Sequence, residues 1–229
     1  MVATDPRGTT VMSTAREEIL GRIRHALDGS GARTADTAAG PVGMTGAPTP
    51  GSTAHDAMVE RFVEVTADYR AVVQRCGPEQ LAAHVAAALQ AYGAGRVVIP
   101  PGLEQDWLSA SEAEFVIDDD VSTEGLDRCD AVVTAASVGI AETGTIVLDH
   151  TADQGRRALT LVPDVHVCVI RESQVTPDVP GAIRLLRPAI EAHRALTWIS
   201  GPSATSDIEL NRIEGVHGPR HLHVIVVAG

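Results

Sequence analysis

Arg96-Val97-Val98-Ile99-Pro100, Glu114-Phe115-Val116-Ile117-Asp118 and Asp130-Ala131-Val132-Val133-Thr134 are three short, mostly β-branched runs that follow one another along the chain. Each is apolar through its centre, as strands buried on both faces are. Helical or loop segments separate them, the pattern of βαβ units and a largely parallel sheet. Toward the C-terminus, Gly139-Ile140-Ala141 and Thr145-Ile146-Val147-Leu148 flank Glu142-Thr143-Gly144, which reads as strand, tight turn, strand. Val165 to Ile170 and Ala195 to Ile199 read as further strands, with a helix from about Pro180 to His193 between them that Pro188 kinks or splits. His221 to Val227 is the last strand.

Toward the N-terminus the period changes. Met58, Phe62, Val65, Tyr69 and Val72 recur at helical spacing and predict a long helix ending near Cys76-Gly77. Pro78 restarts a second helix, with Leu81, Val85, Leu89 and Tyr92 on one face and Gly93 at its end. Residues 29–53 are Gly, Ala, Thr, Ser and Pro with little to bury, and read as a flexible linker. Before them, residues 14–28 form a short amphipathic helix opened by the capping box Thr14-x-x-Glu17, and residues 1–13 form an extension, so either Met1 or Met12 serves as the start. The expected architecture is a single α/β domain over residues 54–229, with a mostly parallel sheet of six to eight strands, preceded by a helical N-terminal section.

Composition narrows the chemistry. The 229 residues suffice for one substantial core, which rests on aliphatic side chains because aromatics make up only 3%. A formal charge of -12 argues against a grip on nucleic-acid phosphates. All 18 basic residues are arginine, so Schiff-base chemistry on lysine and a lysine-dependent phosphate loop are excluded. Cys76, Cys129 and Cys168 are scattered, fit a reducing compartment, and cannot by themselves supply a four-cysteine cluster. No apolar run approaches the roughly 20 residues of a membrane span and no secretory signal opens the chain, so the expected location is the cytoplasm.

Two polar clusters interrupt the strands where packing does not ask for them. In the first, Glu142 beside Gly144 suits a general base, a nucleophilic carboxylate or an acceptor for a ligand hydroxyl, and equally a solvated turn. Gln154-Gly155-Arg156-Arg157 follows, an arginine pair suited to clamping carboxylate or phosphate. In the second, the run from Gly201 to Glu209 begins at the carboxyl end of an apolar strand, where Ser203 or Thr205 would cap a short helix facing an anion. His217-Gly218-Pro219-Arg220 then places an imidazole and a guanidinium on a turn before the last strand. His221 and His223 share a strand face but have no acidic or cysteine partner nearby, so no metal site is assigned, and His166 reads as a core histidine.

Taken together, Ala-Glu-Thr-Gly-Thr at 141–145, Gln-Gly-Arg-Arg at 154–157, the segment Pro163 to His166, Gly-Pro-Ser-x-Thr-x-Asp-Ile-Glu at 201–209 and Gly-Val-His-Gly-Pro-Arg at 215–220 resemble the LUD (lactate-utilization) domain family, from about Ala54 to the C-terminus. Ala204 departs from the resemblance, standing where the family often has Arg. The resemblance implies a fold related to the sugar-phosphate isomerase and CoA-transferase group. It also implies a part in oxidising L-lactate to pyruvate beside iron–sulfur partner proteins, this chain holding no cofactor of its own. Carried over by position, it marks Glu142 and His217 as catalytic candidates, and Thr143, Gly144, Thr145, Gln154, Arg156, Ser203, Thr205, Asp207 and Arg220 as ligand-binding candidates. They are expected to meet in one pocket for a small anionic metabolite, with Arg156 and Arg220 holding its charge. Two other roles stay open: a stand-alone enzyme on a sugar-phosphate or CoA-linked metabolite, for which Glu142-x-Gly144 loosely resembles the acyl-forming turn of CoA transferases, and a sensor of a small acid.

Overall fold

The computed structural model describes residues 19–22, 47–206, 212–214 and 217–228. The chain divides into two units, Met1–Gly43 and Met44–Gly229. In the first, residues 19–22 are helical, and the remainder of the expected 14–28 helix, the extension and most of the linker lie outside the described residues. Among the described residues no helix is long and apolar enough to cross a membrane.

The second unit is built on a six-stranded, wholly parallel sheet. Its strands are β1 (Val72–Cys76), β2 (Arg96–Ile99), β3 (Glu114–Ile117), β4 (Ala131–Ala135), β7 (Val165–Arg171) and β12 (His221–Val227), in the order β1-β12-β7-β4-β2-β3. The three β-branched runs at residues 96–100, 114–118 and 130–134 are thus neighbours at one side of it, β4-β2-β3. Period-two geometry sends alternate residues of one strand to opposite faces. In β7, Val165, Val167 and Val169 enter one core while Cys168 and Ile170 enter the other.

Both faces are covered. Helix α2 (Leu81–Ala91) and the 3-10 turn Gln105–Leu108 close the first face, burying Leu81, Val85, Leu89, Trp107 and Leu108. Over the second lie Met58, Val59 and Phe62 of helix α1 (Thr53–Asp68) and Ile146 and Leu148 of a smaller sheet. That sheet runs β8-β5-β6-β9, from β5 (Val138–Ile140), β6 (Thr145–Leu148), β8 (Val175–Thr176) and β9 (Thr197–Ile199). Its outer face packs Val138, Ile140 and Val147 against Ala182 and Leu186 of helix α4 (Val179–Glu191). Helix α3 (Thr123–Asp127) and the turn Arg157–Thr160 cover the flank around Val98 and Val132 through Leu126 and Leu159.

Three expectations need correction. The first helix stops at Asp68, because Arg70 takes a left-handed φ of 70° that no helix continues through. Val72 to Cys76 then form the edge strand β1 rather than two more helical turns. The described residues contain twelve strands where eight were read. The additional four are β1, the two-residue β8, and the hairpin of β10 (Ala204–Ser206) with β11 (Arg212–Glu214). Pro188 lies inside α4 without splitting it.

Candidate functional site

Beyond β9 the chain runs Ser200-Gly201-Pro202-Ser203, and Gly201 is required there. Its φ is 90°, and a Cβ on it would sit 2.6 Å from the Tyr69 carbonyl oxygen at the end of α1. Ser203 is then tied to the 217–220 turn from both sides. Its backbone N–H donates to the Pro219 carbonyl at 2.8 Å, and its Oγ accepts from the His217 N–H at 3.1 Å. These loops wall a cavity of about 250 Å³ together with Arg157, Thr160, His166, Thr197, Ser200 and Leu222. Arg157 and Thr160 belong to the 3-10 turn before β7, His166 is the second residue of β7, His217 to Arg220 lead into β12, and Leu222 is the second residue of β12. The cavity therefore opens at the amino ends of two central parallel strands, beside the edge strand β9, and not in the carboxyl-end crevice where open parallel sheets usually bind.

Its electrostatics come from two residues. His166 is 1% exposed and shares a 2.8 Å hydrogen bond with Thr134 Oγ1. Burial, helped by the positive charge of Arg157, pushes its pKa down to about 3, so the imidazole is neutral at pH 7. Arg157 donates through Nη1 to the Thr160 carbonyl at 3.0 Å and to Thr160 Oγ1 at 2.8 Å. Burial lowers its pKa, and no carboxylate among the described residues pairs with it. The Ser203 hydroxyl, which accepts from His217, has no acceptor for its own proton among the described residues.

The structure brings only part of the expected set together. Ser203 and His217 line the cavity. Thr143 and Thr145 reach its edge by a chain of hydroxyls, Thr143 Oγ1 to Thr145 Oγ1 at 2.8 Å and Thr145 Oγ1 to Ser200 Oγ at 2.8 Å. Glu142 is exposed and is not in the cavity lining; its backbone N–H donates to the Pro177 carbonyl. Gly144, at φ 58°, lets the hairpin tip press onto α1 at Val65 and Thr66. Thr205 lies in β10 rather than at a helix cap, since the chain there pairs with β11, and Asp207 lies outside the described residues.

The two arginines expected to hold an anion already hold carboxylates. Arg156 donates through Nε and Nη2 to both oxygens of Asp118, each at 2.8 Å, and also to the Val121 carbonyl. Arg220 pairs with Asp164 at 3.1 Å on the surface. Gln154 is 2% exposed and belongs to a different cluster, past the carboxyl end of β4. There it accepts from the Asp149 N–H and donates to Ser137 and Thr151. Burial alone would raise the pKa of Asp149, but hydrogen bonds from Ser137 and Thr151 and the charge of Arg194 hold it below the usual range. The polar groups of that cluster satisfy one another, which suits architecture more than ligand capture. Sequence reasoning missed Arg157 and Thr160 as cavity residues and gave His166 only a core role. The Arg156-Arg157 pair carried the signal but not the choice between its members.

The Arg156–Asp118 pair makes a stability prediction. Its hydrogen bonds from Arg156 hold the Asp118 carboxyl below its ordinary pKa, against the opposing effect of burial. A lowered folded pKa gives stability that is present above about pH 4 and is lost as pH falls through the folded value. Arg156→Ala should cost about 2 kcal/mol at pH 7 in urea unfolding and flatten the acid limb below pH 4. It should leave any ligand affinity of the cavity unchanged, and a loss of affinity at full stability would return Arg156 to the site.

Comparison with known proteins finds matches over most of the chain. The LUD domain model matches residues 59–227. A Deinococcus radiodurans protein named lactate utilization protein C is 42% identical over 221 residues, covering 96% of this chain and 99% of that protein. A Geobacillus thermodenitrificans protein of the same name is 27% identical over 166 residues, with 65% and 69% covered. A crystal structure of a DUF162 family protein from Deinococcus radiodurans superposes with a TM-score of 0.67 at 39% identity, covering 76% of this chain and 98% of that one.

Proposed function

The chain belongs to the LUD domain family, and from that premise we propose that it is a cytoplasmic component of L-lactate utilization, in which L-lactate is oxidised to pyruvate. The observation that carries the reading is the near full-length match to a protein named lactate utilization protein C. The redox centres belong to iron–sulfur partner proteins. The placement of the cysteines supports this division: Cys76, Cys129 and Cys168 are buried in three different core clusters and cannot converge on one cluster of iron and sulfide. Burial raises the pKa of all three, for Cys168 to about 12, so each is a neutral thiol at pH 7.

A ligand-binding or catalytic part within that system is favoured by the cavity with Ser203 and His217. Glu142 remains a proton-handling candidate only for a ligand that reaches past Thr145 toward the hairpin tip. Affinity purification of the tagged chain from lactate-grown cells tests the partner assignment. A co-purifying protein with the visible absorbance of an iron–sulfur cluster is the expected result. A chain recovered alone from cells that are actively oxidising lactate would remove it.

A further inference from the structure

We propose that the cavity at the amino ends of β7 and β12 is a binding site for a short-chain carboxylate monoanion, with Arg157 as the residue that holds the carboxylate. The inference rests on reading this cavity as the functional site and names what it takes.

Within a protein of net charge -12, the described cavity lining contains no Asp or Glu and one arginine. The neighbouring candidates are spent, Arg156 on Asp118 and Arg220 on Asp164. Among the described residues Arg157 is bonded only to the neutral oxygens of Thr160, which orient one end of the guanidinium and leave its other N–H donors for a ligand. The residue is exposed to solvent, and no carboxylate among the described residues has to be displaced for an anion to reach its guanidinium.

Charge also limits the ligand. His166, the other group beside Arg157, is held neutral by burial and by Arg157 itself, so it adds hydrogen-bonding capacity and no second positive charge. One guanidinium balances one negative charge, and a phosphate dianion would leave a surplus charge partly desolvated. The volume of about 250 Å³ lies below the roughly 300–1,000 Å³ of drug-sized pockets, which favours a few-carbon acid over a nucleotide or a CoA thioester. The Ser203 proton, which has no acceptor among the described residues, and the Ser200 and Thr197 hydroxyls suit a neutral polar substituent, such as a hydroxyl or keto oxygen, beside the carboxylate.

Trp198 lines the cavity and is 41% exposed, whereas Trp107 is buried under α2, so intrinsic fluorescence reports occupancy. The full chain is titrated with L-lactate, glycolate, methyl lactate and inorganic phosphate. The expected result is a saturable change with L-lactate or glycolate and none with the uncharged ester. Arg157→Gln should weaken binding about 30-fold, while Arg220→Gln changes it by less than about twofold. No saturable response to either carboxylate, tighter binding of phosphate, or undiminished affinity in Arg157→Gln would overturn the proposal. Should Arg157→Gln lack a cooperative melt, Arg157→Lys decides, with about 10-fold weaker binding expected from loss of the forked contact and unchanged affinity counting against it. Binding of glycolate but not L-lactate would keep the carboxylate site and count against the lactate reading. Dependence of lactate growth on the gene, with neither acid bound, would do the reverse.

Discussion

Acidification from pH 6.5 to 4.5 should remove about 2 kcal/mol of stability through His166 alone. The sign follows from its depressed folded pKa, about 3 against an ordinary 6.5. Between those values the unfolded chain binds a proton that the folded chain refuses. Stability is therefore full above pH 6.5, falls by about 1.4 kcal/mol for each pH unit below it, and levels off only near pH 3. The cause is placement: the ring lies inside the sheet at 1% exposure, bonded to Thr134 and within the field of Arg157. His223 acts in the same direction, its pKa lowered by burial and then by His84, so the whole-protein slope will be steeper than that of one group. Urea unfolding of the wild type and of His166→Gln across this range isolates the share of His166. The variant should lose about 1–2 kcal/mol at pH 7.5 through imperfect packing, yet show a shallower decline on acidification. Parallel pH profiles would mean that His166 is protonated in the folded protein.

Gly144→Ala should lower stability by about 3 kcal/mol, equivalent to a melting point lower by about 10 °C for a domain of this size. Two independent costs add. The backbone at φ 58° is left-handed, which disfavours any Cβ, and that Cβ would lie 2.7 Å from the backbone nitrogen of Thr66. Gly93→Ala is the matched control, since Gly93 has a φ of 64° with nothing within 4 Å of the added atom. It should cost about 1 kcal/mol. Equal losses in the two variants would show that the hairpin does not press on α1. Because the hydroxyl chain from Thr143 through Thr145 to Ser200 starts at this hairpin, Gly144→Ala should also disturb the edge of the cavity.

What the sequence revealed divides along physical lines. The strands β2, β4, β7 and β12 are buried on both faces, so their apolar runs stand out in any window, and the edge strand β3 carries a similar run although it is only half-buried. The edge strand β1 did not stand out, because Val72 sits where the spacing of the preceding helix would place its next apolar residue. Two-residue β8 is too short for any period to register. In the site, Ser203 and His217 were legible because hydroxyl and imidazole between strands have no packing purpose. The choice of Arg157 over Arg156 and Arg220 was not. It depends on Asp118 and Asp164, which lie 38 and 56 residues from the arginines they neutralise. Only folding shows which guanidinium is left for a ligand.

Growth with L-lactate as sole carbon source by a strain deleted for this gene tests the lactate role most directly. The strain should fail on L-lactate, grow normally on pyruvate, and recover on L-lactate when the intact gene is restored. Undiminished growth of the deletion strain on L-lactate, with no second copy of the family present, would contradict it.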